Sequence, residues 1–97
     1  MIPTLENIIP KLLPIFKQYG VKKATVFGSV AKGLSTSTSD IDLLVDSGLR
    51  GLRFSGLLAS IADAVDIPVD VFDVTHIEPG SQIDREIRRT GVDIYEA

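Results

Sequence analysis

Apolar residues recur at helical spacing through Thr4 to Tyr19, where Leu5, Ile8, Ile9, Leu12, Leu13 and Phe16 form one stripe with the period of an amphipathic helix. Thr4 is suited to cap this helix and Gly20 to stop it. Pro10 and Pro14 oppose a regular helix because each removes a backbone donor, so a kink, or a start near Ile9, is expected. The pattern then shortens. Ala24-Thr25-Val26-Phe27 predicts a strand running into Gly28, and the serine- and threonine-rich stretch Lys32 to Ser39 predicts a loop or a frayed helix end. Asp40-Ile41-Asp42-Leu43-Leu44-Val45 predicts a second strand, with carboxylates on one face at its start. After a turn region from Asp46 to Gly51, Leu57, Leu58, Ile61 and Ala62 mark a helix over Leu52 to Val65. Val69 to Val74, preceded by Pro68, predicts a third strand. Ser81 caps a short basic helix, Gln82 to Thr90, with Ile83 and Ile87 expected to face inward. Gly91 ends it, and Val92 to Tyr95 predicts a last strand. The order is helix, strand, strand, helix, strand, helix, strand, an α+β pattern.

Composition narrows the function classes. A length of 97 residues suits one domain, spanning 1–97. The 44% hydrophobic and 24% charged content is globular, which argues against disorder. With no cysteine and a single histidine, His76, disulfides, thiolate metal sites and multi-histidine zinc sites are excluded. No apolar run reaches membrane-spanning length and no secretory leader pattern opens the chain, so the expectation is a cytoplasmic protein with no membrane partner. A formal charge of −3 opposes broad nucleic-acid binding, and no direct nucleic-acid contact is expected.

The informative chemistry lies in Phe27-Gly28-Ser29-Val30-Ala31-Lys32-Gly33 and in Ser39-Asp40-Ile41-Asp42-Leu43-Leu44-Val45. A glycine at a strand end lets backbone pass close to a ligand. The N–H groups that follow it, with the Ser29 hydroxyl, can converge on phosphate oxygens. Asp40 and Asp42, two apart on extended backbone, point the same way. Two adjacent carboxylates resist joint ionisation unless a cation lies between them. Oxygen ligands on an open site suit Mg²⁺, which commonly combines one or two carboxylates with substrate phosphates. On the third strand Asp70 shares a face with Phe72, while Val69, Val71 and Asp73 point to the other. If that strand lies beside Asp40–Asp42, Asp70 completes a triad able to ligate metal and accept a proton, with Asp73 the competing choice. The glycine pair does not make a P-loop, since Leu34 follows Gly33 and Lys32 comes too early. Ser29 has no histidine or acid arranged to make it a nucleophile.

Gly28-Ser29, ten intervening residues and Asp40-Ile41-Asp42 resemble the signature of the DNA polymerase beta-like nucleotidyltransferase superfamily. The short chain most resembles its minimal branch, the MNT-domain (MntA-like) antitoxins paired with HEPN-domain partners. The resemblance runs from the first helix to Gly91-Val92-Asp93-Ile94-Tyr95. It implies a mixed sheet of about four strands flanked by helices, with Asp40, Asp42 and Asp70 as catalytic residues and metal ligands. It further implies Gly28, Ser29 and Lys32 at the nucleotide, two Mg²⁺ ions, and transfer of a nucleoside monophosphate from a nucleoside triphosphate with release of pyrophosphate. Lys32 departs from the family, which usually carries arginine there; the charge is kept and the planar fork lost.

Larger relatives add a helical domain for the base or the acceptor, whereas this chain stops after the last expected strand, so the acceptor is expected to be bound by another polypeptide or to be one. The leading expectation is AMP transfer from ATP to a hydroxyl, a tyrosine, of a HEPN toxin, within a homo- or hetero-oligomer. The alternatives are a non-catalytic antitoxin that neutralises by occlusion, and transfer to a small molecule such as an aminoglycoside. Outside the motif, His76 is expected to cap or pack a loop, and Arg85, Arg88 and Arg89 to form a solvated face. Leu49, Leu52 and Phe54 are expected in the core rather than in a docking patch.

Overall fold

The computed structural model describes residues 4–28, 31, 33 and 40–97. Ser29 and Lys32, both expected at the nucleotide, and most of the Lys32–Ser39 stretch lie outside these residues. The elements in chain order are α1 (Leu5–Tyr19), β1 (Lys23–Phe27), β2 (Ile41–Asp46), α2 (Gly51–Ala64), β3 (Val69–Asp73), a short 3₁₀ turn (Val74–His76), α3 (Gln82–Thr90) and β4 (Val92–Glu96).

α1 starts at Leu5, not near Ile9. Thr4 Oγ1 accepts from the Asn7 N–H at 3.3 Å, and Gly20 closes the helix with φ +68°. Pro10 and Pro14 lie inside it, four apart and both exposed. The carbonyls they leave without donors belong to Glu6 and Pro10, on the solvent side where water can replace the missing bond. Ile8, Leu12, Ile15 and Phe16 form the buried stripe.

Among the described residues the sheet has four strands in the order β3-β2-β1-β4. β1 is antiparallel to β2 and β4, while β2 and β3 are parallel, so the sheet is mixed. The parallel step is bridged by α2, the crossover such a pairing needs. Ala24 and Val26, with Ile41, Leu43 and Val45, alternate onto one face and form the core with α1 and α2. α3 packs against β1 on the opposite face, over Thr25 and Leu44.

Three inward expectations fail, each on the polar rim. Leu52 is 91% exposed at the first turn of α2, where no element covers it, whereas Leu49 and Phe54 do pack on the core. Ala62 is exposed beside buried Ile61. Ile83, in the first turn of α3, is 37% exposed, whereas Ile87 is better covered and borders Thr25 and Leu44 of the sheet. No helix among the described residues is long and apolar enough to cross a membrane.

Candidate active site

The motif residues meet where β1 ends and β2 and β3 begin. Antiparallel register sets Phe27 opposite Asp42, and parallel register sets Asp42 beside Asp70. Leu44 and Phe72 follow on the same face, and the Phe72 ring meets Phe27 at 5.9 Å between centroids. This apolar pair floors the acidic cluster. Asp40 lies one residue before β2, exposed at its mouth.

Gly28 is what lets Asp42 into this corner. It is buried with φ +79°, and a Cβ there would stand 2.6 Å from Asp42 Oδ2. Both the backbone conformation and the close approach require glycine. The Gly28 N–H donates to Thr90 Oγ1 at 2.9 Å, so the turn is tied to the end of α3.

Burial raises the Asp42 carboxyl above its ordinary range, and the charges of Asp70, Asp40 and Glu86 raise it further. Three acidic groups thus act on Asp42, and together they oppose its ionisation. Glu86 was not foreseen, yet a signal was there. Ile83, Glu86, Ile87 and Thr90 are spaced i, i+3, i+4 and i+7, so the stripe of α3 that meets the sheet carries an acid and a hydroxyl. Glu86 is also bonded to Arg89 Nη2 at 2.6 Å.

Asp73, the competing third acid, lies on the core side of β3 and is 3% exposed. It accepts from Ser47 N–H and Oγ–H at 3.1 and 2.6 Å, and from Thr75 N–H and Oγ1–H at 3.1 and 2.7 Å. Burial alone would raise its carboxyl, but these bonds prevail and hold it at about 2. Asp73 joins two chain segments and is turned away from the acidic cluster. His76 completes the turn beside it, its Nδ1 accepting from the Asp73 N–H at 3.4 Å and its ring meeting Phe54 edge-on. Arg88 pairs with Asp84 at 3.2 Å, and Arg85, Arg88 and Arg89 are exposed.

The donor set fits a hard divalent cation, since it is all oxygen and its mutual repulsion is relieved by positive charge. As placed, no three acidic or histidine side chains among the described residues can hold a metal ion by themselves. Oxygens brought by a nucleotide would complete such a shell.

The family model for polymerase beta nucleotidyltransferases matches residues 10–97. The chain belongs to this family. A candidate protein adenylyltransferase of Methanocaldococcus jannaschii is 35% identical over 77 residues, covering 77% of this chain and 83% of that protein. The structure of a candidate minimal nucleotidyltransferase superposes with a TM-score of 0.73 at 26% identity, covering 91% of this chain and 90% of that one. The MNT antitoxin in complex with tri-AMPylated HEPN toxin of Shewanella oneidensis shares the fold, with a TM-score of 0.62 at 18% identity over 95% of this chain and 72% of the other. The protein is therefore a nucleotidyltransferase of the minimal type, and its mixed four-stranded sheet is that of its structural neighbours.

Proposed function

We propose that this nucleotidyltransferase moves AMP from ATP to a tyrosine hydroxyl of a HEPN-domain toxin and so acts as its antitoxin. The observation that carries this reading is the Asp42–Asp70 pair, adjacent in register beside a glycine that cannot become any other residue without displacing Asp42. The identity to a candidate protein adenylyltransferase and the likeness to an antitoxin bound to an AMPylated toxin support a protein acceptor.

Asp40, Asp42 and Asp70 would hold two Mg²⁺ ions, which when bound neutralise the triphosphate and the charge that develops on its α-phosphoryl group. Gly28 and Ser29 orient the phosphates, and Lys32 adds positive charge near them. Asp70, exposed at the start of β3, accepts the proton of the attacking hydroxyl. The new bond joins the tyrosine oxygen to the α-phosphorus, and the bond from that phosphorus to the bridging oxygen breaks to release pyrophosphate. Holding both reactants at the acidic corner supplies much of the rate.

The test uses ATP labelled at the α-phosphate, Mg²⁺, and the protein purified natively with its associated proteins. Label is expected on an associated protein and lost by at least about a thousandfold in Asp42→Asn. Absence of transfer by the wild type, despite a bound partner and measurable ATP binding, would leave neutralisation by occlusion. Label of low molecular mass would instead mark a small-molecule acceptor.

A further inference from the structure

We propose that Thr90 is a positioning residue for the nucleotide site, fixing the first residue of the phosphate turn through its hydroxyl; the inference rests on the nucleotidyltransferase reading of that turn. The Thr90 side chain is two-sided. Its Oγ1 donates to the Glu86 carbonyl, one helical turn earlier, at 2.8 Å. That bond fixes the hydroxyl hydrogen along the helix and leaves the lone pairs facing the sheet. The Gly28 N–H donates to the same oxygen at 2.9 Å. A relay therefore runs from the backbone of α3 to the backbone of the turn, across 62 residues of sequence.

The seat of this relay is rigid. Gly91, next to Thr90, packs so closely that a Cβ would lie 2.5 Å from the Ile87 carbonyl oxygen and 3.0 Å from Thr25 Cγ2. The end of α3 is thereby pressed onto β1, two residues before Phe27. Gly28 in turn borders Asp42, whose Oδ2 would lie 2.6 Å from a Cβ at that position, so where Gly28 stands bears on the room for the acid. Thr90 acts on the turn through Gly28. It sets where Gly28 stands, and the place of Gly28 sets the room left for Asp42.

Thr90→Val keeps the shape and removes acceptor and donor together, leaving a buried amide without a partner. Thr90→Ser keeps the hydroxyl. The expected result is that Thr90→Val weakens binding of a non-hydrolysable ATP analogue with Mg²⁺ by about tenfold and lowers kcat for transfer by at least as much, because small misplacements at a reacting centre are costly. Thr90→Ser should restore both to within about twofold of wild type. Amide hydrogen exchange at Gly28 should be slow in wild type and Thr90→Ser and fast in Thr90→Val. Thr90→Ala carries the same expectation should the valine variant not fold. A hydroxyl-free variant that binds the analogue and transfers within about twofold of wild type, whatever its thermal stability, would overturn the proposal. A wild type that binds the analogue but transfers no label would remove the enzyme reading alone, and the affinities would still decide the role of Thr90.

Discussion

The β2–β3 pair carries an aspartate problem at each end and solves it in opposite ways. At the ends of the strands Asp73 is buried and receives four hydrogen bonds, which lower its carboxyl to about 2 and keep it ionised at neutral pH. At their starts Asp42 is partly buried among Asp70, Asp40 and Glu86, and its carboxyl is raised. Val45 pairs with Asp73 and Asp42 with Asp70 in one continuous register, so the two environments lie only about 10 Å apart along the strands. One end gives a charge every donor it can use and gains stability. The other crowds like charges and leaves a demand for positive charge that a bound cation would meet.

The largest expected effect comes from breaking the satisfied end. Asp73→Ala should destabilise the fold by about 3 kcal/mol, since the Ser47 and Thr75 donors lose their acceptor together. Calorimetry should show a midpoint lowered by roughly 10 °C or more. Transfer measured well below that midpoint should stay close to wild type, because the site lies beyond the usual range of coupling.

A smaller effect follows from pH. The Asp73 carboxyl is lower in the folded protein than in the unfolded chain, so its stabilisation is complete above about pH 4 and is lost as pH falls towards 2. The loss should amount to about 2 kcal/mol, and it should be missing from acid denaturation of Asp73→Asn.

The smallest effect sharpens the contrast. Asp42 has a raised carboxyl, so its charge opposes folding at neutral pH and is relieved by protonation as pH falls. Asp42→Asn should therefore raise the midpoint of the metal-free protein at pH 7 by a few °C. The difference should vanish in acid. Added Mg²⁺ and ATP should raise the wild-type midpoint and move the variant much less.

The two ends also differ in how far the sequence disclosed them. Short apolar runs located the four strands seen among the described residues, and the two-residue period put Asp70 with Phe72 and set Asp73 on the other face. It was silent on what Asp73 does there, because its partners Ser47 and Thr75 come from two different turns. The glycine of the motif was legible as a place of close approach, but the atom approaching it, Asp42 Oδ2, follows from register alone. Glu86 and Thr90 were hidden by composition, as a short basic helix reads first as a solvated surface. Thr4 marked the start of α1 correctly, and the later start near Ile9 that Pro10 and Pro14 suggested does not occur, because a missing donor matters little where water can reach the carbonyl.

The central strand β1 has its last neighbour in β4, and the Ala97 N–H reaches back to the Lys22 carbonyl at 2.9 Å. Some seventy residues separate these partners, so closing that side of the sheet is a long-range event, paid in chain entropy before any contact rewards it. α3 and its hydroxyl arrive from the same late stretch. During synthesis a nascent chain carries Gly28, Asp42 and Asp70 before it carries Thr90, the brace that holds the turn. Competence of the acidic corner then awaits residues 90–96, so the site comes into register only once that stretch has joined the sheet.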